Sequence, residues 1–185
     1  MQITNDHFEW DGYSWKAEIT LASWRGFQSR RGPYGAQDSE QPSDGTVDLI
    51  FAPEGRGDEP LNDGEIALVQ WFLDHEDAIP QAVLSSLAEE YPRLQDQYGY
   101  SPEERAEYMP DLNSAEELRG LIGLSSVNVH QISKGGMPYV GLELGCTWDH
   151  EPGLGILLHG GSVVEIGGAD TAIYLWIAKK HSEES

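Results

Sequence analysis

Apolar residues alternate with polar ones near both ends of this chain, while the middle follows a helical period. Residues 15–21 alternate in this way and follow the turn-forming pair Asp11 and Gly12. Alternation beside such a turn predicts a β-hairpin. Residues 46–51 alternate as well and predict another strand. The N-terminal part is therefore expected to be β-structure.

The middle of the chain has the spacing of helices. Residues 64–75 and 78–91 place apolar side chains three and four positions apart, which predicts two helices. Two later segments, 101–104 and 114–117, each have Ser followed three residues on by Glu. This capping-box pattern predicts the start of a short helix at each place.

Alternation returns after residue 124. Residues 127–132, 139–144, 156–158 and 163–166 predict four strands of a meander, the last two joined by a tight turn. The final apolar piece, 172–178, is short, and we expect a strand or a short helical turn there.

Strands, then helices, then strands predict an α+β fold. We expect mainly antiparallel sheet, in an N-terminal hairpin and a C-terminal meander, with the central block of helices packed on one side. The sequence leaves open whether the hairpin joins the C-terminal sheet or forms its own lobe. The predicted organisation is a single domain over residues 1–185. Its parts are N-terminal strands and a loop (1–60), an acidic helical region (61–123) and a C-terminal β-meander (124–178).

The strongest feature of the composition is its negative charge. The chain has 11 Lys and Arg against 32 Asp and Glu, a formal net charge of -21. Residues 61–118 alone hold 14 acids against Arg93 and Arg105, a net of -12. Such a field repels nucleic acid and anionic membranes and attracts cationic partners. Two explanations stay open: solvated helix faces, or a docking surface for a basic protein.

The docking explanation gives a set of candidate partner-binding residues on the helices. Exposed carboxylates there would steer a basic toxin or effector protein towards this chain. Neither a nucleic acid nor a membrane is an expected partner. The predicted partner-binding residues are Asp74, Glu76, Asp77, Glu89, Glu90, Asp96, Glu103, Glu104 and Glu107.

Several features predict a cytoplasmic protein. There is one cysteine, Cys146, so no intrachain disulfide can form. No run of about 18 apolar residues is present to span a bilayer. The first six residues lack the basic and apolar regions of a signal peptide.

Reactive groups are densest between Cys146 and Glu151. A thiol, an imidazole (His150) and two carboxylates lie within six positions, which could indicate a hydrolase or a metal-dependent enzyme. In an extended segment, however, Asp149 and Glu151 point away from His150. We therefore favour a polar turn, and predict no catalytic residue, no metal ligand and no cofactor.

Two adjacent arginines, Arg30 and Arg31, are unusual in so acidic a chain. They could contact an anion or a partner, or they could pair with nearby acids. We favour pairing with nearby acids, since acids outnumber bases almost three to one.

The segment from Tyr139 to Ile156, followed by residues 163–170, resembles an uncharacterised bacterial domain family with the pattern C-x-W-D-x-E-H-G-L-G. The residues that match this motif, whose role is unknown, are Cys146, Trp148, Asp149, Glu151, Gly153 and Gly155. Pro152 departs from the pattern, which usually has His there. Some similar small acidic proteins are immunity proteins beside bacterial toxins, and the resemblance implies that function.

Charge and resemblance together lead to one main hypothesis. The chain is expected to be a cytoplasmic, non-enzymatic immunity protein that neutralises a cognate toxin by direct binding. The alternatives are a hydrolase or metal-dependent enzyme that uses the cluster from Cys146 to Glu151, and an acidic mimic of nucleic acid.

Overall fold

The sheet joins the two ends of the chain. A computed structural model describes residues 1–149 and 153–184. Over these residues, seven strands form one sheet in the order β1-β2-β5-β6-β7-β8-β9, and two form a separate ribbon, β3-β4. The strands are β1 Glu9–Trp10, β2 Trp15–Thr20, β3 Gln28–Ser29, β4 Ser39–Pro42, β5 Thr46–Phe51, β6 Ile122–Lys134, β7 Met137–Cys146, β8 Leu154–His159 and β9 Ser162–Gly167.

Neighbouring strands of the main sheet are antiparallel except at one place. There β5 and β6 run parallel, with Asp48 beside Ser126. The long helical segment between these strands supplies the crossover that a parallel pair needs. The N-terminal hairpin and the C-terminal meander therefore form one continuous sheet, and the predicted mainly antiparallel α+β fold is confirmed.

The central helices are α1 Asp63–His75, α2 Ile79–Tyr98 and α3 Pro102–Tyr108, with 3-10 helices at Glu76–Ala78 and Ala115–Gly120. At the start of α1, the Asn62 side chain accepts a hydrogen bond from Glu65 N at 3.0 Å, and Glu65 Oε2 accepts one from Asn62 N at 2.9 Å. Ser101 and Glu104 form the same capping box at α3. Each box satisfies two backbone donors that a helix start leaves unpaired.

The core lies between these helices and one face of the sheet. On β7, Val140, Leu142 and Leu144 point to this face and are almost fully buried. Phe72 of α1 and Leu87 of α2 are completely buried in the same cluster. On β7 the predicted alternation therefore turns these three apolar side chains towards the central helices.

Helix α2 is longer than the predicted 78–91. It continues through Pro92 to Tyr98 and ends at Gly99, which takes the left-handed conformation (φ 59). Pro92 is exposed, and because proline has no backbone N–H, the helix loses one hydrogen bond there. Beyond it, Leu94 and Gln95 are buried, and Gln95 Nε2 donates to Met109 O at 2.8 Å. These tertiary contacts offset the cost of the proline.

The second face of the sheet is covered by the end of the chain. Residues 170–183 form α4 Asp170–Ile173 and α5 Leu175–Glu183, where the sequence predicted a strand or a short helical turn over residues 172–178. Ile177 and Ala178 of α5 pack against Tyr139 and Leu157, which point away from the central helices. Among the described residues, no helix combines the length and the hydropathy needed to cross a membrane.

Candidate functional site

The predicted partner-binding carboxylates lie along α1, α2 and α3. Glu90 is half-buried and Glu76 is buried. The exposed members, which we call the acidic helical surface, are Asp74, Asp77, Glu89, Asp96, Glu103, Glu104 and Glu107.

Glu76 has a different role from its neighbours. It is 9 % exposed, and its carboxylate accepts a hydrogen bond from Ser23 Oγ. This contact ties the junction of α1 and α2 to the 3-10 helix Ala22–Trp24. The sequence placed Glu76 among the exposed acids because the polar side of a helix end is usually solvated. We correct that set by leaving Glu76 out.

The two arginines of residues 61–118 are both paired. Arg93 Nε lies 2.7 Å from Glu90 Oε2, and Arg105 Nη2 lies 2.6 Å from Asp111 Oδ1. The remaining negative charge of the surface is therefore uncompensated. None of the seven carboxylates of the acidic helical surface forms an ion pair with a described residue.

The Trp-Asp turn is held by Tyr98, the last residue of α2, and by Tyr100, which follows the helix. Tyr100 Oη donates to Trp148 O at 2.6 Å, and Tyr98 Oη donates to Asp149 Oδ2 at 2.6 Å. Trp148 itself is 2 % exposed. The described part of the motif therefore anchors the end of β7 to α2. Its Glu151, with His150 and Pro152, lies outside the described residues.

Two motif glycines have structural reasons to be glycine. Gly153 has φ +89, a conformation that other residues rarely adopt. A Cβ on Gly155 would lie 2.2 Å from Gly168 O, too close for any side chain.

The Cys146 thiol is buried at the end of β7. Burial raises its pKa to about 12, because a thiolate there would lose its hydration. Its Sγ donates a weak hydrogen bond to Asp149 O at 3.5 Å. A thiol that stays protonated at neutral pH is not an activated nucleophile. Within the described residues, no group of three or more His, Cys, Asp or Glu is arranged to hold a metal ion.

Cys146 is expected to resist thiol reagents in the folded protein. At pH 8 an aromatic disulfide reagent should modify Cys146 at least about a hundredfold more slowly in the folded protein than in protein unfolded by urea, because folding keeps the thiol protonated and buried. The measurement is the absorbance of the released thiolate. The control is the Ser85→Cys variant, whose new thiol lies at an exposed position of α2 and should react rapidly. Equal rates at both cysteines would contradict the prediction.

Arg30 and Arg31 have different environments. Arg31 Nη2 lies 3.0 Å from Glu18 Oε2 and 3.3 Å from Asp48 Oδ1, as the pairing prediction expects. Arg30 is buried and its Nε donates to Gln28 Oε1 at 2.8 Å. It forms no ion pair with a described acid.

A cleft lies on the second face of the sheet, where β7 alternates Gly141, Glu143 and Gly145. A Cβ on Gly141 would lie 1.8 Å from Ala172 O of α4, and a Cβ on Gly145 would lie 2.0 Å from Gly35 O. The two glycines therefore let two backbone segments rest directly on the strand. Between these walls the Glu143 side chain forms part of the floor of a cleft of about 420 Å³.

A polar row crosses four strands, and its members Asp48, Ser126 and Glu143 form the floor of the cleft. Strand register places Glu18 beside Asp48, Asp48 beside Ser126, and Ser126 beside Glu143. Glu143 Oε2 accepts hydrogen bonds from Ser126 Oγ and, at 2.9 Å, from Asn128 Nδ2. These residues are far apart in sequence, so only strand pairing brings them together.

One wall of the cleft includes Tyr34, in the 3-10 helix Pro33–Gly35. Tyr34 has φ 56 and is 77 % exposed. No other described residue except glycine has a positive φ. A bulky residue in this conformation is uncommon and costs free energy, and such residues concentrate at binding sites.

Comparison with protein families gives one match. The sequence model of a family described as Domain of unknown function (DUF6985) matches residues 17–174. The chain belongs to this family. The predicted membership of an uncharacterised domain family is thereby confirmed. No match to a curated protein or to a solved structure was found.

The DUF6985 domain contains nearly all of the cleft. Its match begins at Ala17 in β2 and ends at Tyr174, just after α4. Glu143, Arg31 and Tyr34 lie inside these bounds, whereas β1 and α5 lie outside them.

Sequence reasoning about this DUF6985 domain missed the cleft. The local sequence pattern that indicates the cleft is G-x-E-x-G at residues 141–145. In this pattern two glycines and a carboxylate lie on one face of a strand. Glycine in a strand indicates a close approach of another backbone. The pattern does not show which residues of β2, β5 and β6 lie beside Glu143.

Proposed function

We propose that this chain is an immunity protein, which binds a basic bacterial toxin and blocks it. The observation that carries the proposal is the uncompensated charge of the acidic helical surface. Residues 61–118 hold more than half of the formal net charge of -21, and both arginines there are already paired. The sequence also resembles a family in which some similar small acidic proteins are immunity proteins, and this resemblance supports the same function.

The arrangement of the carboxylates suits an electrostatically steered complex. Glu89 and Asp96 lie on α2, a helix of 20 residues that is about 30 Å long, and Glu103 and Glu107 extend the surface onto α3. A surface of this length can face the basic patch of a small protein such as a nuclease. Steering of this kind raises association rates by factors of 10 to 1,000 and weakens as salt is added.

We place the protein in the cytoplasm in this proposal. A single cysteine cannot form an intrachain disulfide, which suits a reducing compartment. The partner is a protein, and no cofactor enters the proposed function.

The proposal is tested by co-expression with the product of the immediately upstream gene. We expect that product to be toxic, and this chain to rescue growth and to co-purify with it as a one-to-one complex. If the product of the upstream gene is not toxic and forms no complex with this chain, the proposed immunity function is wrong.

The acidic helical surface is expected to set the rate at which the complex forms. The triple variant Glu89→Gln, Glu103→Gln, Glu107→Gln should lower the association rate constant about tenfold at low salt, because it removes three uncompensated charges from the facing surface. Surface plasmon resonance at several salt concentrations measures this rate.

A matched control separates this surface from net charge. The variant Glu9→Gln, Glu40→Gln, Glu183→Gln removes three exposed charges from β1, β4 and α5. Its effect should be two- to threefold or less. If both variants slow association equally, the association rate depends on the net charge and not on the position of the carboxylates on α2 and α3.

A further inference from the structure

We propose that the cleft on the second face of the sheet binds a cationic group, a guanidinium or an ammonium on an aliphatic stem, with Glu143 as its charge partner. The inference uses residues of β2, β5, β6 and β7 and of the two cleft walls, none of which belongs to the acidic helical surface. It therefore goes beyond the proposed immunity function and does not depend on it.

Glu143 carries a charge that its neighbours do not neutralise. Its carboxylate accepts hydrogen bonds from Ser126 and Asn128, both 9 % exposed and both neutral donors. It forms no ion pair with any described residue. The two donors fix the orientation of the carboxylate and leave its negative charge available. A bond from a charged donor to such a carboxylate is about twice as strong as a neutral one.

The cations around the cleft are already occupied. Lys16 Nζ lies 3.0 Å from Asp11 Oδ2, and Arg31 bridges Glu18 and Asp48. Together with Glu143, the lining and its ion-pair partners contain two cations and four carboxylates, a net charge of -2. An anionic ligand would add to this excess, whereas a cationic ligand reduces it.

The remaining lining suits an aliphatic stem. Apolar side chains stand around the polar floor, an arrangement typical of ligand sites in which a few polar groups fix the orientation. Tyr34, exposed and held at a positive φ, can place its ring against a cation. The apolar lining residues on this face are Ile50, Ala169 and Ile173, whereas Leu144 and Leu154 turn their side chains towards the central helices.

Two sources carry this chemistry: a free amine or guanidine, and an Arg or Lys side chain of a protein. Ile173 in the lining is 44 % exposed, and its sequence neighbours Tyr174 and Trp176 are 47 % and 60 % exposed. Large aromatic side chains such as Tyr and Trp are enriched at the centre of protein interfaces. The experiment therefore includes both sources.

Nuclear magnetic resonance titrations of the full chain test the proposal. The probes are n-butylguanidinium, n-butylammonium, the neutral alcohol n-pentanol, and a blocked alanine pentapeptide with a central arginine. At least one cationic probe should shift the backbone amide signals of Ser126, Asn128 and Glu143 in a saturable way, and the alcohol should not. Tighter binding of the peptide than of the small cations indicates a protein side chain as the ligand. Binding of the small cations alone indicates a free compound.

Two variants connect the binding to Glu143. Glu143→Gln keeps an oxygen for Ser126 and Asn128 but removes the charge, and should weaken binding about tenfold or more. Glu165→Gln removes the same charge from exposed β9 and should leave the affinity unchanged. Ile173→Arg changes a half-exposed residue of the lining, places a tethered guanidinium at the cleft, and should abolish binding. It provides a second test if Glu143→Gln does not fold.

The proposal is overturned if no cationic probe binds, if the alcohol binds as tightly as the cations, or if Glu143→Gln and Ile173→Arg both bind like the unchanged chain. Failure of the immunity function is a separate result. The triple variant of Glu89, Glu103 and Glu107 should leave binding of the small cations unchanged, and growth rescue is scored independently.

Discussion

Gly141→Ala is expected to lower the free energy of unfolding by about 3 kcal/mol, at the upper end of what overpacking usually costs. A Cβ at this position would lie 1.8 Å from Ala172 O and 2.5 Å from Ala172 C. Both are backbone atoms of α4, so no side-chain rotation can relieve the clash. The helix must move away from β7, and Ala172, which is fully buried, moves with it.

Displacement of α4 has two further costs. His130 Nε2 lies 3.1 Å from Ala172 O, and a shift of α4 breaks this buried hydrogen bond. Ala169 and Ile173 line the cleft, so the shift also moves one of its walls. We therefore expect Gly141→Ala to weaken cation binding as well as stability.

Thermal unfolding followed by circular dichroism measures the effect. For a chain of 185 residues, a loss of about 3 kcal/mol corresponds to a melting temperature lower by roughly 6–12 °C. Gly161→Ala is the matched control, because a Cβ there meets nothing within 4 Å. It should change stability by less than about 0.5 kcal/mol. Equal melting temperatures for the two variants would show that α4 does not rest on β7 as described.

The second expected result is a loss of stability in mild acid caused by His130. This side chain is 7 % exposed, and burial lowers its pKa to about 4. The Ala172 carbonyl and the charge of Glu54 act in the opposite direction but do not outweigh burial. The neutral ring donates from Nε2 to Ala172 O, and the folded protein keeps it neutral at pH 7.

The sign of the effect follows from the two pKa values. In the unfolded chain the histidine pKa is about 6.5. Between pH 6.5 and pH 4 the unfolded state therefore binds a proton that the folded state does not. The contribution of His130 to stability is complete above pH 6.5 and is lost as the pH falls towards 4. The total loss is about 3 kcal/mol.

Urea unfolding at pH 7, 6, 5 and 4.5 measures this loss. His130→Gln cannot take up a proton, and its amide can still donate to Ala172 O, so its stability should depend less on pH over this range. His7→Gln, at an exposed histidine, should behave like the unchanged chain. If His130→Gln and the unchanged chain lose stability equally between pH 6.5 and 4.5, a different group is responsible.

Local patterns in the sequence determined the elements whose ends are set by nearby residues. The strand predicted at residues 46–51 is β5, Thr46–Phe51. Residues 64–75 became α1, and the capping box at Ser101 begins α3. In each case the hydrogen bonds or the alternation that decide the element lie within a few residues, so the sequence alone carries the information.

Tertiary contacts decided the elements that local rules misjudge. Buried Leu94 and Gln95 hold α2 in a helix beyond Pro92. The last apolar piece became α4 and α5, because glycines on β7 and β8 leave room for a helix against the sheet. Glu76, in a polar helix junction, is buried because Ser23 approaches it from another part of the chain.

The acidic helical surface and the cleft show the same division. Net charge and its concentration in residues 61–118 are properties of the sequence, and the exposed acids of α2 and α3 were predicted from it. The row from Glu18 through Asp48 and Ser126 to Glu143 depends on strand register. Register places Asp48 beside Ser126, 78 positions later in the chain, and only the packing of the whole sheet determines it.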